Sequence, residues 1–488
     1  MQVRCRSSAG HAHHAVVRSA VIALLLALPG CAGQPLENWH TRRLNEEFTA
    51  KDAATVRTFA DYRALEERLF QELRDKIYTS GGGENLLVRY SEGSAADPLI
   101  REPNWNRSFE LPVANPIGGV LLLHGMSDSP YSLKAIGESL QQRGYYVVGM
   151  RMPGHGTAPS GLVYVHWQDM AAALDLGMAH LKAQVPGRPI HLIGYSTGAS
   201  LALDYSLRVI EGTASPRPAS LVFISPAVGI TAAAGLAKIP KALAKIPGLK
   251  KLSYTAIDPE FDPYKYNSFT ANAGDQVNKV TGSVSSRLGK IGVEALREGL
   301  PPILAFQSTV DATVVTQALV DKLLKRLDPG RHELVLFDIN RFGAVYTLLV
   351  ADPAPVTNRI IADEQLPFAV TLISNRTDES MDVVALRKLA LRGDIDSVED
   401  LHLEWPPGVI SLSHVAMPVS PRDPLYGNTR PANREELFLG DINIKGEKGL
   451  LKIPASYLVR LRYNPFYPYL ERRAIDWIDQ ANQAAGGR

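Results

Sequence analysis

Gly194-Tyr195-Ser196-Thr197-Gly198 sets a serine two residues from a glycine on either side. Ile190, His191, Leu192 and Ile193 form a short apolar run of strand length, halted upstream by Pro189, and Ala199 to Leu203 read as helix. A serine in a tight strand-to-helix turn needs small neighbours, because the turn strains the backbone and brings main chains close together. Such a turn lifts the hydroxyl clear of a sheet and aims the free N–H groups of the helix start at negative charge forming beside it. The chemistry indicated is nucleophilic. A serine hydroxyl is too weakly acidic to attack an acyl carbon unaided, so it needs a base, and the base needs an orienting carboxylate.

Candidates for both lie downstream. Asp311 stands just beyond the apolar run ILAFQ at 303–307, where catalytic groups collect at the carboxyl ends of strands in open α/β sheets. Asp338, at the end of ELVLF (333–337), is its rival. His414 follows the strand-like run VISL at 409–412 and is the candidate base. His332 lies at the wrong end of its strand, and His402 lies in the charged stretch Glu399-Asp400-Leu401-His402.

These side chains must be carried by the elements between them. Phe59, Tyr62, Leu65, Leu69, Leu73 and Ile77 recur at helical spacing ahead of Gly81-Gly82-Gly83. Residues 86–112 (LLVRY, then RSFEL) alternate weakly and read as leading strands. From Ile117 onward strand and helix alternate: GVLLL (119–123), a helix over 133–143, YYVVGM (145–150), a helix over 167–185, the strand before Ser196, and SLVFI (220–224). That alternation predicts a mostly parallel sheet flanked by helices. Residues 228–300 interrupt it with an apolar, lysine-bearing stretch (Lys238, Lys241, Lys245, Lys250, Lys251) and the aromatic run YKYNSF (264–269). Alternation resumes with ILAFQ, a helix over 316–327 and ELVLF. A second insertion spans about 341–400, with strand-like runs at 344–350 and 368–373, and must loop out and return if His414 is to reach Ser196. A final helix begins near Tyr469.

The segments LLLHGMSDSPYSL (121–133), MPGHGTAP (152–159) and GYSTG (194–198), in that order and spacing, resemble the α/β-hydrolase superfamily, in its carboxylesterase, monoacylglycerol-lipase and serine-aminopeptidase-like branch. The likeness covers about 117–230 and returns near 301–315 and 410–418. It implies an α/β-hydrolase fold over 111–482, with 228–300 as a cap and 341–400 as a late insertion before the catalytic histidine. It also implies the chain order nucleophile, acid, base, here Ser196, Asp311 and His414. The oxyanion would be bound by the backbone N–H groups of Met126 and Thr197. His124 and Gly125 would support that loop, with Gly194 and Gly198 supporting the turn. Gly154 and Gly156 read as turn formers and His155 as structural. The activity implied is cleavage of carboxylic esters through an acyl-enzyme, with a small-molecule or lipid ester as substrate and neither cofactor nor metal. Peptide or amide hydrolysis by an aminopeptidase-like enzyme, acyl transfer, and a non-catalytic envelope protein on the same fold are the alternatives.

Bulk properties agree with a globular chain. Of 488 residues 45% are hydrophobic and 21% charged, and the formal net charge is +2. No basic stripe with interleaved aromatics points to nucleic acid. The two cysteines, Cys5 and Cys31, exclude a disulfide framework and a cysteine zinc site. His11, His13 and His14 fall in the leader. Residues 1–30 have a basic opening (Arg4, Arg6, Arg18) and an apolar middle too short to span a bilayer, and read as a signal peptide. Leu28-Pro29-Gly30-Cys31 resembles the lipobox of bacterial lipoproteins. That implies acylation of Cys31 and a membrane held through an N-terminal lipid anchor. With Ala32 next, it implies an outer-membrane lipoprotein of the cell envelope facing the periplasm. A plain signal peptide is the alternative. Residues 31–110 would then hold a polar tether up to about 58, the amphipathic helix and the leading strands.

Overall fold

The computed structural model describes residues 35–79, 87–228, 250–311, 313, 316–342, 352–432, 437–440, 457 and 459–486. The leader with Cys31, the lysine-rich stretch up to 249 and the run at 344–350 lie outside them.

Ten strands form one sheet. They are β1 (Phe109–Leu111), β2 (Gly118–Leu123), β3 (Tyr145–Met150), β4 (Ile190–Tyr195), β5 (Ser220–Ile224), β6 (Ile303–Ser308), β7 (Glu333–Phe337), β8 (Ala369–Asn375), β9 (Asp382–Lys388) and β10 (Ser397–Glu404). The spatial order is β1-β3-β2-β4-β5-β6-β7-β8-β9-β10. Pairing is parallel from β3 across to β8 and antiparallel for β1, β9 and β10 at the two edges. The order reverses at β2, with β3 to one side and β4 to the other. That reversal opens a crevice beyond the carboxyl ends of β2 and β4.

Helices cover both faces. On one side α1 (Phe59–Ile77), α3 (Trp167–Gln184), α4 (Thr197–Ile210) and α5 (Ala271–Lys290) share a core with Leu121, Leu123 and Leu192; on the other, α2 (Lys134–Gln142) and α6 (Tyr467–Gly486) share one with Val120, Leu122 and Ile193. Because β2 to β5 are buried along both faces, their sequences run continuously apolar instead of alternating. All six apolar positions picked out on α1 are buried.

Several segments differ from expectation. Residues 35–58 are packed, not a tether: Leu44, Phe48 and Val56 are buried, and Glu47 pairs with Arg151 at 3.0 Å. Enough apolar surface lies in that polar-looking stretch to bind it to the domain. Of the leading strands only β1 forms. Residues 87–90 run as loop because the buried Arg89 turns inward, donating to Gly156 O (3.0 Å) and Asn106 Oδ1 (3.2 Å). The late insertion does not loop out. Beyond a helix at Ala354–Ala362 it adds β8 to β10 to the sheet, β8 lying parallel to β7. Residues 409–412 are loop, not strand. The helix expected over 316–327 ends at Lys322 and gives way to a 3-10 turn at Leu324–Arg326.

Candidate functional site

Ser196 occupies the turn between β4 and α4 with φ 53° and ψ −114°. This left-handed conformation is one that a non-glycine residue holds only when its surroundings enforce it. The enforcement is visible. The Ser196 N–H donates to Ile224 O at 2.9 Å, and its carbonyl accepts from Ala199 N at 3.1 Å and Ala227 N at 3.3 Å. A Cβ on Gly194 would come within 2.5 Å of the Ala199 backbone, and one on Gly198 would overlap the Leu123 carbonyl oxygen. Neither position has room for a side chain.

His414 opens a short 3-10 turn, His414–Ala416. The approach to it is clipped to the ends of β6 and β4 and to the loop before α6: Ser308 Oγ donates to Leu412 O (3.2 Å), Tyr195 Oη to His414 O (3.2 Å) and Ser413 Oγ to Leu461 O (2.6 Å). The imidazole Nδ1 lies 2.7 Å from Asp311 Oδ2, and Nε2 lies 3.0 Å from Ser196 Oγ. A carboxylate only accepts, so Nδ1 carries the proton and Nε2 presents its lone pair to the serine hydroxyl. Asp311 Oδ1 accepts from Thr313 N–H at 2.8 Å, which fixes the carboxylate plane. Its side chain is wholly enclosed, and Ser196 and His414 are each 8% exposed. The Ser196 hydroxyl proton thus has an acceptor within reach in His414 Nε2, while Asp311 fixes the other side of the ring.

The other candidates are occupied elsewhere. Asp338 is held by Arg341 and by Ser374 Oγ (2.9 Å). His332 Nδ1 accepts from Ile303 N–H at 3.1 Å. The His402 side chain is 88% exposed at the sheet edge. His124 Nε2 accepts from Met152 N–H at 3.0 Å, so Nδ1 is the protonated nitrogen and donates to Gly125 O at 2.9 Å. Burial pushes His124 well below the usual imidazole range, so it stays neutral and braces the loop after β2. His155 is likewise buried, near Pro153 O, and lowered to about 4 by the loss of solvent. Gly154 and Gly156 both have positive φ.

Ser196, Thr197, Met126 and His414 line one cavity of about 330 Å³. Thr197 begins α4, so its N–H lacks an intrahelical acceptor. The insertion at about 228–300 contributes Ala256, Phe269 and Val277 to the wall, while further along α5 Ser283 Oγ and Arg287 Nε donate to Asp204 on α4. The sequence reading missed several of the wall residues. Asp128 receives Lys265 Nζ at 2.9 and 3.0 Å, and Tyr457, Arg460 and Arg462 approach from the far end of the chain. Asp128 lies within the HGMSD run and Lys265 within YKYNSF, so both sat in motifs already marked; residues 457–462 carry no pattern at all. Among the described residues no group of three or more His, Cys, Asp or Glu side chains is arranged to hold a metal ion.

Residues 114–338 match the model of the family described as serine aminopeptidase, S33. His414 lies beyond that stretch. The chain is 31% identical over 146 residues to a thermostable monoacylglycerol lipase of Bacillus sp. (strain H-257), covering 28% of this chain and 55% of the lipase. It is 26% identical over 116 residues to phospholipase YtpA of Bacillus subtilis (strain 168), covering 24% of this chain and 42% of that protein. The chain thus spans about half the length of the curated relatives it matches. Among solved structures, the monoacylglycerol lipase of Paleococcus ferrophilus aligns with 20% identity over 47% of this chain and 88% of that one, at a TM-score of 0.35. With its parallel sheet, flanking helices and strand order, the chain has the α/β-hydrolase fold.

Proposed function

We propose that this protein is a serine hydrolase that cleaves carboxylic esters of lipid or other acyl substrates. The observation that carries the reading is the continuous line from Asp311 through His414 to Ser196. Ser196 Oγ attacks the ester carbonyl while His414 Nε2 takes its proton. Asp311 holds the imidazole in the required tautomer and stabilises the imidazolium. The N–H groups of Met126 and Thr197 receive the oxyanion, and one such donor contributes about 10²–10³ in turnover. His414 then returns the proton to the leaving alcohol, and water releases the acyl group by the same steps in reverse. The lipase names of the relatives agree with this substrate class.

The family description favours one rival, an aminopeptidase. Binding a substrate's free ammonium calls for an unengaged carboxylate in the cavity. Of the described residues lining it Asp128 is the one carboxylate, and Lys265 already holds it. The charge balance therefore favours ester over aminopeptide. Fluorophosphonate labelling that disappears in Ser196→Ala, with turnover of 4-nitrophenyl esters and none of amino-acid arylamides, is the expected result. An unlabelled wild type would favour a non-catalytic role, and arylamide turnover the aminopeptidase. We further propose lipid anchoring through Cys31 at the outer membrane; incorporation of a palmitate analogue, lost in Cys31→Ser, tests it.

A further inference from the structure

The cavity holds a positive charge for which the ester chemistry above has no use. Three of the described residues lining it are cations, against the single carboxylate of Asp128. Lys265 is paired with that carboxylate, and Arg460 is exposed. Arg462 is buried, and no carboxylate among the described residues pairs with it. It is 7% exposed, its Nε and Nη2 have no hydrogen-bond partner among the described residues, and its guanidinium lies 5.4 Å from the centroid of the Tyr457 ring.

A buried guanidinium without a counter-charge is costly, and buried polar atoms are otherwise almost always paired. The site is also placed to matter. Arg462 lines the cavity that holds Ser196, and it borders a small adjoining void together with Val415, the neighbour of His414, and Ser129. The Ser129 hydroxyl there is buried too and has no partner among the described residues. A planar fork of N–H donors with a nearby hydroxyl matches the oxygens of a carboxylate or a phosphate.

We propose that Arg462 is a specificity residue that binds an anionic group, a carboxylate or a phosphate, carried by the ester substrate. This rests on the ester-hydrolase reading. The substrate then has two ends: an acyl carbon at Ser196 and an oxyanion at Arg462, which completes the guanidinium's missing pairing.

Two matched pairs of substrates test the proposal and separate the two sources of charge. One pair is mono-4-nitrophenyl glutarate against its methyl-capped diester, with the charge on the acyl side. The other is a monoacylglycerol phosphate against the monoacylglycerol of the same chain, with the charge on the alcohol side. A hydrogen-bonded ion pair corresponds to a preference of roughly 10–100-fold in kcat/KM for the charged member of one pair. Arg462→Gln should reduce that ratio to within about two-fold, and Arg462→Lys should restore part of it, because a point charge replaces the fork. Thermal midpoint and the rate of fluorophosphonate labelling report whether Arg462→Gln is folded. If it is not, protection of wild-type Ser196 from the label by free glutarate or glycerol phosphate, and not by glycerol, decides the matter. Equal turnover of charged and neutral members by the wild type overturns the inference and leaves the esterase reading intact. Absence of both labelling and turnover removes that reading and the inference with it.

Discussion

Arg151 and Glu66 meet where α1 crosses the end of β3, Nε 2.7 Å from Oε1, with both side chains withdrawn from solvent. Glu66 also accepts from Ser108 Oγ at 2.9 Å, and Arg151 Nη1 donates to His155 O at 3.1 Å. The pair therefore ties the N-terminal helix to the turn at 152–157. Burial pushes Glu66 above the usual carboxylate range, and Arg151 opposes that. Truncating one partner of such a pair leaves a buried charge short of its counter-charge, which costs roughly 3–5 kcal/mol. Because Glu47 remains beside Arg151, Glu66→Ala should fall at the lower end, about 3 kcal/mol, as a shift of the urea midpoint. A shift below about 1 kcal/mol would show that Glu47 compensates alone.

Asp311→Asn should leave circular dichroism unchanged and lower kcat/KM on a 4-nitrophenyl ester by about 10⁴, since an amide NH₂ facing Nδ1 selects the wrong imidazole tautomer. Asp338→Asn should leave turnover within a few-fold. If instead Asp338→Asn abolished activity and Asp311→Asn did not, the acid would have to be reassigned.

The glycines separate into two kinds. A methyl group on Gly198 meets the Leu123 and His124 carbonyls, the strand end that carries the Met126 amide. Gly198→Ala should lower kcat by about 10²–10³, the value of one displaced oxyanion donor, and destabilise by about 1–3 kcal/mol through overpacking. Gly282, inside α5, has nothing among the described residues within 4 Å of where a Cβ would sit. Gly282→Ala should raise stability by about 0.5–1 kcal/mol. Thermal melts and ester kinetics on the two variants check both signs.

Acid should weaken the fold well before the ordinary carboxylates protonate. Burial lowers His40, His155 and His191 from 6.5 to about 4 and His332 to about 3, and pushes His124 well down. In the unfolded chain these rings titrate near 6.5. Their contribution is therefore complete above about pH 6.5 and is lost as the pH falls toward their folded values, because the unfolded state takes up the protons first. Each histidine contributes a slope of up to about 1.4 kcal/mol per pH unit. Glu260 works the other way. Burial raises it to about 7, so the folded state takes its proton first, and burial raises Glu66, Asp258 and Asp423 too, but these are four groups against five. The thermal midpoint should drop between pH 7 and pH 5; a midpoint that holds or rises would contradict the burial of these rings.

The parts of the fold legible in the sequence are those whose information is local. β2 could be read because Val120 and Leu122 face one helical layer while Leu121 and Leu123 face the other, so every position is apolar. The turn at Ser196 was legible because its constraints, two missing side chains, lie within five residues. His414 had to be reached largely by eliminating His332 and His402, since the bonds that place it come from Ser308, Tyr195 and Leu461, all distant in sequence. Residues 35–58 were misread for the same reason: what anchors Glu47 is Arg151, 104 positions away. β10 is mostly exposed and carries Glu399, Asp400 and Glu404, the usual protection for a sheet edge, and only Leu401 and Leu403 lean on the core, too short an apolar face to stand out in the sequence. Arg462 left no trace because what marks it is burial without a carboxylate among the described residues, which no local pattern encodes.

The imidazole that faces Ser196 is contributed from 218 positions further along the chain. At a synthesis rate of 5–20 residues per second, roughly 10–45 s separate the emergence of the two. During that interval the nascent polypeptide carries the hydroxyl and, later, the carboxylate, with nothing between them to move a proton. On the mechanism proposed above, a product released short of residue 414 lacks its general base and should hydrolyse esters only at the residual rate of a triad with one member missing.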